Sequence, residues 1–148
     1  MKASRLIFTL PLASSVALVQ STAQETKAHQ KPIEEVKAKA EAGDAESQVE
    51  LGFRYEQGKG VAKDQAEAVK WYRKAAEQNY AEAQYNLHVC YLKGEGVALD
   101  LIEAYKWLLL AARQGHENAK KNVTELERLL TPQQIAAGKT QARDFKPR

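Results

Sequence analysis

From residue 35 onward, apolar and small residues recur at intervals of three and four, the spacing of amphipathic helices rather than strands. In the stretch that opens at Ala45, the side chains of Gln48, Leu51 and Tyr55 share one helical face, and Ala68, Trp71 and Ala75 share another further on. The segment GKGVAKD separates the two faces. Gly58 and Gly60 can take the left-handed backbone angles that stop a helix, and Val61 can place an apolar side chain beneath the loop. Asp64 followed by Glu67 reads as a D-x-x-E capping box that opens the second helix. The pattern predicts a helical hairpin. It then predicts a second one, because Gln84, Leu87 and Tyr91, the loop glycines Gly94 and Gly96, Asp100 with Glu103, and Ala104, Trp107 and Ala111 repeat it in order.

Laid without gaps over residues 81–116, residues 45–80 agree at 17 of 36 positions, where ordinary residue frequencies would give about two. The chain therefore holds an internal duplication. Its flanks continue it less faithfully. KAEAGDAESQ in front of the first unit parallels RKAAEQNYAEAQ in front of the second, so Pro32 to Ala42 reads as the closing helix of a partial leading repeat. Behind the second unit, GHENAKKNV begins a third, with a first helix expected to run through Leu130. Thr131, Pro132 and Gln134 then read as a cap, a first-turn proline and a closed box. The helix they start carries Ile135, Ala142 and Phe145 as an apolar stripe. The second unit offers it a surface, because Tyr72, Arg73 and Lys74 of the first unit become Leu108, Leu109 and Leu110. His88 stands where the first unit has Gly52, which suggests a looser second hairpin.

The first 23 residues follow a different rule. Lys2 and Arg5 precede an uncharged, mostly apolar run from Leu6 to Val19, and Ser21 and Ala23 are placed as the small residues that cleavage before Gln24 would need. This is the layout of a secretory signal peptide. The run includes Pro11 and is short of the roughly 20 residues that span a bilayer as a helix, so retention as an anchor is the secondary reading. The expected organisation is a signal peptide at 1–23, a linker at 24–34, a repeat solenoid at 35–145 and a tail at 146–148, with the mature chain periplasmic or secreted. Charge changes little. The formal net charge of +3 includes Lys2 and Arg5, and removing the leader leaves 20 basic and 19 acidic residues, so no nucleic-acid partner is indicated. Cys90 is the single cysteine; an internal disulfide is excluded, and a small buried hydrophobe is the leading role, with intermolecular pairing or a reactive thiol the alternatives.

The string A-E-x-Q-x-x-L-G-x-x-Y-x-x-G-x-G-V-x-x-D-x-x-x-A-x-x-W-x-x-x-A-A resembles the Sel1-like repeat, a relative of the tetratricopeptide repeat with a longer inter-helix loop. The likeness covers residues 45–116 closely and roughly 35–145 loosely. It implies an all-α fold, an α/α solenoid of helical hairpins with a C-terminal capping helix. It also implies protein–protein interaction, often as an exported bacterial adaptor; some members of this size act as immunity partners of secreted toxins. The sequence departs from the cysteine-rich branch, whose paired cysteines are absent. A cell-wall or β-lactam hydrolase, as reported for those relatives, is the alternative.

In such a stack the first helices lie side by side, and the positions free for binding are those on their outward stripe. These are Glu46, Val49, Phe53 and Glu56 in the first unit, Tyr85, Val89, Leu92 and Lys93 in the second, and Lys121 and Arg128 in the third, with Glu125 and Leu129 beside them. Aromatic and aliphatic residues at the centre with charges at the rim suit a protein or peptide partner; the competing reading is that Val49, Val89 and Leu92 pack against neighbouring helices. Reaction chemistry is sparse. Gly138, Lys139 and Thr140 imitate the end of a phosphate-binding loop, but Gln occupies position 133 and the segment falls within an expected helix. His88 and Cys90 are about 200° apart on a helix and cannot share a metal ion. Ser47, the one serine beyond the leader, aligns with Ala83 and Ala119 where packing wants a small side chain. The two tryptophans share a repeat position and read as core. No catalytic residue, metal, cofactor or membrane insertion of the mature chain is expected, and the oligomeric state stays open.

Overall fold

The computed structural model describes residues 31–148. The expected signal peptide and residues 24–30 of the expected linker lie outside the described residues. Within Pro32–Arg148 the chain forms seven helices and no strand: α1 (Ile33–Glu41), α2 (Ala45–Gln57), α3 (Gln65–Glu77), α4 (Ala81–Lys93), α5 (Leu101–Arg113), α6 (Glu117–Glu127) and α7 (Pro132–Asp144). Each helix packs on the next from α1 to α6, and α7 folds back onto α5. This is the expected α/α solenoid with a capping helix.

The helix ends follow from the repeated loop. Gly58 and Gly94 stop α2 and α4 at φ of 68° and 69°. Asp64 accepts from the Glu67 amide at 3.0 Å, and Asp100 accepts from the amides of Ile102 and Glu103, both at 3.0 Å. The reciprocal half of the expected capping boxes does not form. The backbone N–H of Asp64 is already donated to the Tyr55 carbonyl at 2.9 Å, and that of Asp100 to the Tyr91 carbonyl at 3.1 Å. These bonds clip each loop onto the end of the preceding helix, so the glutamates are left for other partners: Glu67 pairs with Lys70, and Glu103 accepts from Trp107 Nε1 at 3.0 Å. Thr131 and Gln134 do make a complete box. Helix α6 ends at Glu127 instead of running through Leu130. The Leu129 amide bonds the Leu126 carbonyl at 2.9 Å, a tightened last turn, and Pro132 disfavours helical angles at the residue before it.

Glutamines tie the units together. Gln48 donates to the Ala40 carbonyl at 3.0 Å and accepts from Gln78 at 2.9 Å; thirty-six residues on, Gln84 donates to the Ala76 carbonyl at 3.3 Å and accepts from Gln114 at 2.8 Å. Both glutamines are buried, and a buried amide left unbonded would be costly. The cap fits as expected. Ala142 is buried, Ile135 and Phe145 pack on the core, and Phe145 meets Trp107 edge to face at 5.5 Å. Gly138 is required there, since a Cβ would stand 2.5 Å from Tyr105 Cδ1.

The second hairpin closes without a gap, contrary to the looser packing expected from His88. In the first hairpin Tyr72 of α3 fills the space over Gly52, where a Cβ would lie 2.7 Å from the ring. In the second, Leu108 replaces Tyr72 and His88 supplies the bulk from α4, bonding the Ala104 carbonyl at 3.0 Å.

Candidate functional site: the groove between α4 and α6

The candidate binding positions divide by location. On α2, Glu46 and Phe53 are exposed, with Lys59 Nζ 4.8 Å from the Phe53 ring centre. Val49 is half-buried against the core, and Glu56 accepts from the Tyr72 hydroxyl at 2.8 Å. On α4, Lys93 is exposed and Val89 half-buried. Tyr85 packs between repeats: its ring stacks on His116 at 4.5 Å and its hydroxyl accepts from Asn122 Nδ2 at 3.2 Å. His116 also caps α6, with Nδ1 accepting from the Ala119 amide at 3.2 Å and Nε2 facing Glu82 at 3.0 Å. On α6, Lys121 is exposed, and Arg128 at its end is exposed and bonds both Glu125 oxygens, at 2.9 and 3.0 Å.

Two of these residues, Leu92 and Arg128, come together in one groove. It holds about 310 Å³ and is lined by His88 and Leu92 of α4 and by Asn122, Glu125, Leu126, Arg128 and Leu129 of α6 and the turn after it. Leu129 is 72% exposed. The groove exists because α6 stops early: the turn at Arg128 to Leu130 buries Leu130 in the core and leaves Leu129 at the edge. His88, Asn122 and Leu126 are the lining residues that the outward stripe misses. The exchange of Gly52 for His88 was the signal available for one of them; Asn122 and Leu126 carry no mark in the sequence that separates them from packing residues.

The electrostatics are quiet. Arg128 and Glu125 pair with each other, so the rim carries no net charge. Burial lowers the pKa of His88 from its ordinary value, partly offset by the bond to Ala104, and the ring is neutral at neutral pH. Burial also pushes the Cys90 thiol up to about 11. Cys90 is 5% exposed within the core, so it is a small hydrophobe, protonated and shielded. Ser47 is buried within the first turn of α2. Gly138, Lys139 and Thr140 lie inside α7, with no phosphate-loop geometry. Trp107 is core, whereas Trp71 is partly buried with Lys74 Nζ 4.1 Å from its ring centre. Among the described residues no group of three His, Cys, Asp or Glu side chains could hold a metal ion, and no helix is long and apolar enough to cross a membrane.

Comparison with known proteins places these features. Residues 45–80 and 81–116 each match the family model described as Sel1 repeat. The chain is similar to the crystal structure of a Sel1 repeat protein from Oxalobacter formigenes, with 41% identity and a TM-score of 0.60 over 61% of this chain and 68% of that one. It is also similar to the crystal structure of a protective antigen of uropathogenic Escherichia coli strains displaying an SLR fold, with 28% identity, a TM-score of 0.75 and coverage of 90% of this chain and 30% of that one. A 43-residue stretch is 49% identical to the secretory immunoglobulin A-binding protein EsiB of Escherichia coli O6:H1 (strain CFT073), covering 29% of this chain and 9% of that protein. The chain thus spans less than a third of the length of either of these two relatives.

Proposed function

Since the chain belongs to the Sel1 repeat family, we propose that it is a non-enzymatic scaffold that binds another protein, with the α4–α6 groove as the centre of its binding surface. The observation that carries this reading is the groove itself: Leu92, Leu126 and Leu129 line an open, charge-compensated cleft on which none of the described helices is laid. A partner segment seated there would meet apolar surface at the centre and polar groups at the rim, the usual anatomy of a protein interface. Phe53 on α2 and the exposed charges Glu46, Lys93 and Lys121 extend the surface to either side and would set the orientation of a longer partner. Tyr85, Glu56, Val49 and Val89 support it by fixing helix positions.

The same proposal takes residues 1–23 as an export signal and places the protein in the periplasm or beyond, as an adaptor or an immunity-type partner of a secreted protein. A relative is named for binding secretory immunoglobulin A, which supports a protein as the class of partner; the match covers too little of that relative to carry over its ligand. The hydrolase alternative gains no support from the described residues, where Ser47 and Cys90 are buried.

The test is capture of a partner from the exported fraction by the purified protein, compared with Phe53→Ala and Leu129→Asp. Both positions are exposed, so circular dichroism and thermal midpoint should be unchanged. Capture should fall at least about tenfold for Leu129→Asp and less for Phe53→Ala. Undiminished capture by both variants would reject the surface.

A further inference from the structure

The groove has one feature beyond apolar walls: an acceptor at its floor. The Ala104 carbonyl can only accept, so the proton between it and His88 belongs to Nδ1. In the neutral ring Nε2 is then a bare acceptor. His88 is 2% exposed and lines the groove, and with its Nδ1 edge turned to the Ala104 carbonyl of α5 its Nε2 edge faces away from that carbonyl. Of the other polar groups around the groove, Asn122 Nδ2 donates to the Tyr85 hydroxyl and Arg128 Nη1 donates to Glu125 at the exposed rim. At the buried floor, beside Leu92, Leu126 and Leu129, the complement of that acceptor is a donor set in an apolar body.

We propose, resting on the scaffold reading, that the groove takes an aromatic side chain carrying a hydrogen-bond donor, tryptophan foremost and then tyrosine, presented by a segment of a partner protein. The ring packs on Leu92, Leu126 and Leu129, and its N–H or O–H donates to His88 Nε2. Other side chains fit less well for stated reasons. An aliphatic or phenylalanine side chain fills the space but strips water from Nε2 without replacing the bond. A carboxylate meets the Nε2 lone pair. A lysine brings a charge into a cleft whose rim charges cancel, so nothing compensates its desolvation. Tryptophan and tyrosine combine a large apolar area with one donor and a low entropy of immobilisation.

The test is a titration of isotope-labelled protein with a short Gly/Ser/Ala peptide holding one central tryptophan, followed by nuclear magnetic resonance. Shifts are expected at Leu92, Leu126 and Leu129 and at the His88 ring nitrogen. The same peptide with 1-methyltryptophan, which has the ring but no donor, should bind roughly tenfold more weakly, as should the phenylalanine and leucine peptides. Leu129→Asp should abolish the response with the spectrum otherwise intact. Equal binding of the methylated peptide, shifts centred elsewhere, or no response at the solubility limit of the tryptophan peptide would each overturn the assignment. The outcomes separate this assignment from the scaffold reading. If partner capture is lost in Leu129→Asp while the tryptophan peptide does not bind, the scaffold stands and the aromatic chemistry fails; if capture survives both surface variants, the scaffold reading fails.

Discussion

The two repeats close the same hairpin with opposite partners. Between α2 and α3 the filling side chain comes from the second helix, with Tyr72 lying over Gly52 and its hydroxyl reaching back to Glu56. Between α4 and α5 it comes from the first helix, with His88 set against Ala104 and a leucine at position 108. Either solution satisfies packing, but they leave different surfaces. The first spends its aromatic on the interior and its carboxylate on that aromatic. The second brings a polar ring to the floor of the groove beside α6. The same backbone thus yields one unit whose aromatic is spent on the interior and one whose polar ring lines a groove.

Breaking the exchange should give the largest effect. Histidine at position 52 would drive its Cβ within 2.7 Å of two Tyr72 ring atoms and 3.2 Å of the Ala68 carbonyl, so Gly52→His is expected to destabilise by about 3 kcal/mol or more. Adding Tyr72→Leu imports the second repeat's pair and should recover at least about 1.5 kcal/mol, a coupling well beyond the additivity of independent sites. Urea midpoints of the two single variants and the double variant measure it. Strict additivity would show that the two positions do not compete for one space.

That pairing marks the limit of what the chain announces in its sequence. The period, the loop glycines, the Asp64 and Asp100 caps and the C-terminal box are local signals, decided within a few residues, and they suffice for the solenoid and for the position of α7. Arg128 and Leu129 are legible as surface by helical spacing, whereas Leu92 is half-buried against the core, as the competing reading has it. The role of His88 is not legible, because it depends on what stands at position 108 and on where α6 breaks. Helical spacing alone presents Tyr85 as a free aromatic; its partners His116 and Asn122 lie thirty-one and thirty-seven residues away and meet it only once the repeats are stacked. The reciprocal capping bonds failed for a similar reason, since the Asp64 and Asp100 amides are taken by the carbonyls of Tyr55 and Tyr91 across the loop.

A second difference between the units sits in the loops. Gly60 and Gly96 have nearly the same backbone, with φ of 74° and 71°, and alanine at either should cost about 1–2 kcal/mol for that conformation alone. Their surroundings differ. A Cβ on Gly60 would meet only Ile33 Cβ at 3.7 Å, whereas one on Gly96 would stand 2.2 Å from the Gln65 carbonyl oxygen, a backbone atom at the start of α3. Gly96→Ala should therefore be the more destabilising by about 2 kcal/mol. Equal thermal shifts for the two variants would mean that the second loop does not rest on α3.

The smallest expected effect is a pH dependence that belongs to the second repeat alone. Gly52 offers no proton site, whereas burial holds the pKa of His88 below its ordinary 6.5. As pH falls through 6.5 the unfolded chain takes up a proton before the folded one does, so the stability due to neutral His88 is complete above that pH and declines as pH drops toward the folded value. The groups facing the ring do not reverse the sign: Tyr85 lies 5.9 Å away on the same helix, α5 presents the Ala104 carbonyl, and on α6 Glu125 and Arg128 neutralise each other. Urea midpoints at pH 7 and pH 5 should differ more in the native protein than in a His88→Gly, Leu108→Tyr double variant, which carries the first repeat's pair. An unchanged difference would assign the acid sensitivity to groups outside the hairpin and leave His88 exposed enough to titrate freely, a result that would also remove the buried acceptor from the floor of the groove.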